Sequence, residues 1–166
     1  MRNAGYAKAI EPVHRHWSGK HRPVVRVIYR ISLVSTDGDR VLPTDYRVYD
    51  KPEDVLSKND HFLAKIDAAR SRGFRPRAVL LDGCYSGLAS LNRVRDHGGV
   101  FLAQLEVNRQ VDLDRPGYQA IGSLPIGAAT AVVHLKGFAP IRVFKAVSRN
   151  GYVEYRATND LTMDEL

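Results

Sequence analysis

The chain is poor in cysteine and has no long apolar run, and each shortage excludes a class of protein. The single cysteine, Cys84, excludes an internal disulfide and a zinc site built from several cysteines. No apolar stretch approaches the roughly 20 residues that a membrane-spanning helix needs. The first residues lack the apolar core of a signal peptide, and the chain shows no repeats or low-complexity segments. These shortages predict a cytoplasmic protein that has no membrane partner.

The charge balance favours an anionic partner. The 166 residues include 25 Lys and Arg against 18 Asp and Glu, which gives a formal net charge of +7. Nucleic acid is the commonest partner of a basic protein. The 44% of hydrophobic residues is enough for a folded core. We predict one domain over residues 1–166, with a basic loop at 1–23, a core at 24–107 and a β-rich insertion at 108–158.

The first half of the predicted core has the pattern of a β-hairpin followed by a helix. Residues 24–36 alternate between apolar and polar, which is typical of a half-buried strand. Asp37-Gly38 is a hairpin turn signal, and residues 40–49 return as a partner strand whose Pro43 favours a sheet edge. Ser57 with Asp60 resembles a capping box at the start of a helix.

The second half of the core predicts a parallel strand–helix–strand unit. Residues 78–81 are continuously apolar, as in a strand buried on both faces, and Asp82 ends that run. Ser86 is the predicted cap of the next helix, and Gly98 is its predicted stop. Residues 100–105 form the second apolar run. Asp82 is therefore expected at the carboxyl end of a strand, where open α/β sheets hold their ligands.

The rest of the chain predicts a loop and further strands. Residues 108–127 are rich in turn formers and predict a loop. Strands are predicted at 131–136, 141–147 and 152–158, with a hairpin turn at Asn150-Gly151. Thr162 is a candidate helix cap with Glu165 at the capping-box position.

The residues themselves leave several interpretations of this region open. Asp82 is either a turn aspartate or a functional carboxylate. A hydrolase using Asp82 as nucleophile usually needs a second Asp two residues on, where this chain has Cys84. Cys84 is expected to be a small buried apolar residue. The basic loop contains Trp17 among histidines and cations, which favours a solvated loop or a base-stacking contact over a zinc site.

Short motifs follow one another along the chain at residues 16–21, 43–51, 58–62, 72–74, 79–86, 108–109, 134–137 and 157–160. Together with the element order, these motifs resemble the ribonuclease H-like core of insertion-sequence transposases with a DDE catalytic triad. The implied fold is a mixed α/β sheet with flanking helices and a β-rich insertion. The implied activity is metal-dependent DNA cleavage and strand transfer.

The resemblance also implies a cofactor, partners and site residues. In this family three carboxylates hold two Mg²⁺ or Mn²⁺ ions, because these ions prefer hard oxygen ligands. Asp82 matches the second carboxylate and is the expected catalytic and metal-binding residue. DNA at transposon ends is the implied partner, the bacterial nucleoid is the implied location, and a homo-oligomer is the implied assembly. We expect Lys20, Arg22 and Arg109 to contact DNA.

The other two carboxylates of the triad do not map onto this chain. The first Asp is expected before Met1 and the final Glu after Leu166, so the chain is expected to be an internal fragment. It would lack the first strand and the last catalytic helix, leaving sheet edges exposed. Gly83-Cys84 and Glu106-Val107 also depart from the family's usual residues. The chain is expected to be inactive alone, and the alternative function is a non-catalytic DNA-binding transposase remnant.

Overall fold

The structure is a computed structural model that describes residues 14–17, 24–114, 117–126 and 130–165. The chain divides into two compact units, Met1–Ala69 and Arg70–Leu166. The predicted core at 24–107 is therefore shared between two units. Both units combine strands with a helix, so the predicted α/β class is confirmed, while the ribonuclease H-like topology stays a prediction.

The first unit contains two separate pairs of antiparallel strands and most of one helix. Its elements are β1 (His14–Trp17), β2 (Val24–Val27), β3 (Tyr29–Thr36), β4 (Val41–Tyr49) and α1 (Lys58–Ser71). The pairing of β3 with β4 confirms the predicted hairpin. The prediction of one strand over 24–36 is wrong, because the chain changes partner at Ile28 and β2 pairs with β1. The predicted loop at 1–23 therefore includes a strand.

The hairpin has one buried and one exposed side. Tyr29 pairs with Tyr49, and Ile31 on the same side is only 3% exposed. Arg30 and Ser32 point to the exposed side, as the alternation predicts. The pairing register shifts between Leu33 and Val34, and Val34 pairs with Pro43 of the partner strand. Proline has no backbone N–H to donate, and an irregularity of this kind is a place where a sheet accommodates it.

The start of α1 has the predicted capping box. The backbone N of Asp60 donates to Ser57 Oγ at 3.2 Å, and the backbone N of Ser57 donates to Asp60 Oδ2 at 2.9 Å. These bonds satisfy backbone groups that the first helical turn leaves without partners. Phe62 and Ile66 of this helix are buried.

The second unit is built on a seven-stranded mixed sheet. Its strands are β5 (Val79–Leu81), β6 (Phe101–Leu105), β7 (Gln110–Asp112), β8 (Gln119–Ala120), β9 (Thr130–Leu135), β10 (Pro140–Val147) and β11 (Val153–Thr158). Their order in the sheet is β5-β6-β11-β10-β9-β7-β8. The pairing of β5 with β6 is parallel, and every other described pairing in this sheet is antiparallel.

The predicted parallel unit is confirmed. Helix α2 (Leu88–Asp96) connects β5 to β6, and its Leu91 and Val94 are buried. Gly98 follows the end of α2 and has a φ of 71°, a left-handed conformation that glycine adopts without strain. Among the described strands β5 is one of the two edge strands of the sheet, and its Leu80 is 74% exposed.

The predicted β-rich insertion lies in the same sheet as β6, because β11 pairs directly with that strand. Two predictions about the second unit need correction. The predicted loop at 108–127 contains β7 and β8, since its turn formers are interspersed with buried apolar residues such as Val111 and Ile121. No helix begins at Thr162 within the described residues, because Asp160 Oδ1 accepts from Thr162 N at 2.9 Å and forms a turn instead.

Candidate functional site

Asp82 lies directly after β5, at the end of the strand where the chain turns toward α2. It is exposed, and it precedes a short 3-10 turn over Gly83–Tyr85. Asp82 Oδ1 accepts from the backbone N of Gly83 at 2.6 Å, so one carboxylate oxygen fixes the turn. The predicted position at the carboxyl end of the first parallel strand is confirmed. The carboxylate therefore faces solvent at the edge where parallel strands hold their ligands.

The turn after Asp82 differs in two ways from its predicted form. Cys84 is exposed, not buried, because the 3-10 turn carries it away from the sheet. Its Sγ lies 3.9 Å from Asp82 Oδ2. Ser86 does not cap α2: its Oγ donates to the carbonyl oxygen of Gly83 at 2.8 Å, and Gly87 occupies the cap position without a side-chain bond. Ser86 therefore closes the Asp82 turn.

Glu106 is a second carboxylate beside this turn, and the sequence patterns did not indicate it as a site residue. Glu106 Oε1 lies 3.3 Å from the position that a Cβ on Gly83 would occupy. The absence of a side chain at Gly83 leaves room for the Glu106 carboxylate. The available signal was the parallel unit itself, since carboxyl ends of neighbouring parallel strands meet at one edge of the sheet. Glu106 follows β6 just as Asp82 follows β5.

The charges around the turn affect the neighbouring phenol. Burial raises the pKa of Tyr85 above its ordinary value, and the nearby Cys84 and Asp82 add to that increase. A neutral Tyr85 hydroxyl is therefore the dominant form at physiological pH. The site combines an exposed carboxylate, an exposed thiol and a protonated phenol.

Asp160 lies at the opposite end of the strands from Asp82. Leu81 pairs with Ala103, so Asp82 is level with Gln104. Thr158 pairs with Leu102, so Asp160 is level with Val100, four residues away along β6. Four residues of strand span roughly 13 Å. Carboxylates that share a pair of metal ions must lie much closer, because the two ions are only about 4 Å apart.

Asp160 instead has a structural role in the turn after β11. Hydrogen bonds from the Thr162 side chain and backbone hold the pKa of Asp160 below its ordinary value, and Arg77 contributes to the same direction. The neighbouring Asn159 accepts from the backbone N of Phe101 at 2.9 Å. The residues after β11 thus attach to the amino end of β6, away from Asp82.

A separate polar cluster lies in the first unit between the hairpin and α1. Lys65 is buried, with its Nζ 2.9 Å from Asp45 Oδ1. Arg47 Nη2 is 2.5 Å from Asp54 Oδ1, and His61 Nε2 is 3.4 Å from the same oxygen, outside hydrogen-bonding geometry. A surface cavity of about 260 Å³ borders this cluster. The carboxylates here pair with cations, which favours a structural role.

The three predicted DNA contacts have different outcomes. Lys20 and Arg22 lie outside the described residues. Arg109 is half-buried, and its Nη2 donates to the backbone carbonyl oxygen of Ser86. Burial lowers the pKa of Arg109 from its ordinary value. The structure therefore brings Arg109 to the Asp82 turn, where its side chain contacts the protein.

The donor set around Asp82 does not fit the two-metal centre of the resembled family. Within the described ranges no group of three or more His, Cys, Asp or Glu side chains is arranged to hold a metal ion. Asp82 and Glu106 border the same turn, but Asp160 lies beside the opposite end of β6 and Asp45 is paired with Lys65. Among the described residues, the Asp82 turn therefore has two carboxylates beside it, those of Asp82 and Glu106.

None of the described helices is long and apolar enough to cross a membrane. Comparison of the chain with protein families, with curated proteins and with solved structures finds no match in any of the three. The likeness to DDE transposases therefore stays an expectation based on the motifs and on the element order.

Proposed function

We propose that this chain acts on DNA as the Asp82-bearing part of a DDE-type transposase core, and that it does not cut DNA alone. The single observation that supports this most is the exposed Asp82 at the carboxyl end of β5, within a parallel strand–helix–strand unit. A carboxylate in that position faces ligands in open α/β sheets. The sequence motifs around it are those of the resembled family.

The charge of the chain supports DNA as the partner. A net charge of +7 attracts the phosphate backbone without reading its sequence. Binding of this kind releases condensed counterions, so it weakens steeply as the salt concentration rises. Lys20 and Arg22, in the basic segment, are the proposed phosphate contacts.

The proposed lack of cutting follows from the number of carboxylates. Asp82 and Glu106 border one turn, and a third ligand is missing from the described residues. Mg²⁺ keeps most of its water shell and binds only weakly to one or two exposed carboxylates. Strand cleavage therefore requires ligands in addition to those that the described residues bring together.

The experiment is a DNA-binding titration followed by a nicking assay on the same purified chain. We expect fluorescence anisotropy to show binding to unrelated duplexes, with an affinity that falls with salt. Lys20→Gln and Arg22→Gln should each reduce the slope of log affinity against log salt by about 0.9. Lys65→Met is the matched control, because it removes a positive charge that is buried and cannot contact a phosphate. Absence of binding at low salt would contradict the proposal.

The second candidate function is a non-catalytic DNA-binding remnant of a transposase. The observation that favours it is the incomplete ligand set around Asp82 among the described residues. Both candidates predict DNA binding, and both predict no nicking of plasmid DNA by this chain with Mg²⁺ or Mn²⁺. They differ when the missing carboxylates are supplied, because only a competent core then cuts DNA through Asp82.

A further inference from the structure

Arg109 has an environment that a DNA-contacting arginine does not need. Its side chain is half-buried, and its Nε is buried without a hydrogen-bond partner in the described structure. Its Nη2 donates to the carbonyl oxygen of Ser86, which is itself 4% exposed. Two of its guanidinium nitrogens are therefore directed at the protein, since Nε is buried and Nη2 is bonded to Ser86.

The Ser86 carbonyl is the far end of the turn that begins at Asp82. Ser86 N donates to the carbonyl oxygen of Gly83 at 3.2 Å, and Ser86 Oγ donates to the same oxygen at 2.8 Å. Tyr85 N donates to the carbonyl oxygen of Asp82 at 2.9 Å. Gly83 N donates to Asp82 Oδ1 at 2.6 Å. A continuous set of hydrogen bonds therefore connects the Arg109 guanidinium to the Asp82 carboxylate.

The backbone of Arg109 is also fixed, so its side chain has a rigid base. Arg109 N donates to the carbonyl oxygen of Glu106 at 2.9 Å, and Ile121 N donates to that of Arg109 at 2.8 Å. The buried Ile121 anchors this second bond. The same β6–β7 turn carries Glu106 beside Gly83. The turn after β6 therefore lies beside the Asp82 turn, with Arg109 bonded to Ser86 and the Glu106 carboxylate next to Gly83.

We propose that Arg109 is a positioning residue for Asp82: its guanidinium holds the turn at residues 83–86, which in turn orients the Asp82 carboxylate. This inference rests on the proposed function, in which Asp82 is the functional carboxylate. It replaces the expectation that Arg109 contacts DNA. The planar guanidinium suits this role because it offers several fixed N–H donors to a buried carbonyl.

The experiment compares Arg109→Lys and Arg109→Met with the unmodified chain and with Arg142→Met. Arg142 is the matched control, because it also donates to a backbone carbonyl oxygen, that of Leu161. Loss of the Arg109 bond should open the turn, since one hydrogen bond changes a local equilibrium by roughly two- to tenfold. We expect amide exchange of Tyr85 and Ser86 to accelerate by that factor in both Arg109 variants and to stay unchanged in Arg142→Met.

Cys84 gives a second measurement within the same turn. It is exposed and is the only cysteine, so its alkylation rate by iodoacetamide reports on this turn alone. Arg109→Lys keeps the positive charge, so a faster rate in that variant reflects movement of the turn and not a change in thiol acidity. If both variants fail to fold, ¹⁵N spectra of the unmodified chain remain decisive. The Arg109 guanidinium should then rotate and exchange slowly compared with that of the exposed Arg149.

The salt dependence of DNA binding separates positioning from phosphate contact. A phosphate contact by Arg109 predicts that Arg109→Met lowers the salt slope by about 0.9. Positioning predicts an unchanged slope together with faster exchange. The proposal is overturned if a folded Arg109 variant shows unchanged amide exchange and unchanged Cys84 alkylation. It is also overturned if the Arg109 guanidinium of the unmodified chain is as mobile as that of Arg149. If the chain binds no DNA, the proposed function fails, while the exchange result still decides whether Arg109 holds the turn.

Discussion

Asp82 and Asp160 lie beside opposite ends of β6, although both lie in segments that resemble motifs of DDE transposases. Asp82 follows the carboxyl end of β5, and Asp160 lies beside the amino end of β6. This separation excludes Asp160 as a partner of Asp82 in one metal centre. Glu106, which the motifs did not indicate, is the carboxylate that borders the Asp82 turn.

The Asp54 carboxylate should make the stability of the chain depend on pH in the acid range. A hydrogen bond from the backbone of Asp50, followed by one from Arg47, holds the pKa of Asp54 below its ordinary value. A lowered folded-state pKa means that the stabilisation is present above roughly pH 4 and is lost as pH falls through the lower folded value. Asp54→Asn should therefore flatten the decrease in unfolding free energy below pH 4, measured by urea titration. A decrease in Asp54→Asn that is as steep as that of the unmodified chain would contradict this assignment.

The buried Lys65 should respond differently to changes in each partner of its ion pair. Asp45→Ala leaves a buried ammonium group without its carboxylate, and we expect a loss of about 3 kcal/mol in unfolding free energy. Lys65→Met replaces the charge with an apolar side chain of similar length and leaves a carboxylate that is partly exposed, so it should cost less. Equal losses in the two variants, measured by denaturant unfolding, would show that burial of the lysine does not dominate this pair.

Two leucines of the parallel unit should show the difference between a core and an edge position. Leu91 on α2 is fully buried, so Leu91→Ala should cost about 3 kcal/mol through lost packing and the resulting cavity. Leu80 on β5 is 74% exposed, so the matched change Leu80→Ala should cost well under 1 kcal/mol. A large loss from Leu80→Ala would mean that another surface covers the β5 edge in solution.

Local sequence patterns predicted those features of this chain that depend on interactions between residues close in sequence. The Asp37-Gly38 turn, the Ser57–Asp60 capping box and the left-handed Gly98 each depend on neighbouring residues. The parallel unit was also predictable, because two apolar runs that flank an amphipathic helix leave few alternatives. Asp82 was found by that route.

Features that depend on long-range pairing could not be predicted in the same way. The pairing of β11 with β6 joins segments about 50 residues apart. This pairing places Asp160 beside the amino end of β6. The exposure of Cys84 depends on a 3-10 turn that no single residue specifies. The contact of Arg109 with Ser86 also spans 23 residues, so its sequence neighbours gave no indication of it.

The most direct test of the proposed function supplies the carboxylates that the resemblance implies. The full chain is joined to the flanking segments of an intact DDE transposase that carry the first Asp and the final Glu, and Mg²⁺-dependent nicking of plasmid DNA is measured. We predict nicking by the joined protein that is abolished by Asp82→Ala and retained in Asp160→Ala. Nicking that survives Asp82→Ala, or a folded, DNA-binding joined protein that does not nick, would contradict the proposal that Asp82 belongs to a strand-transfer centre.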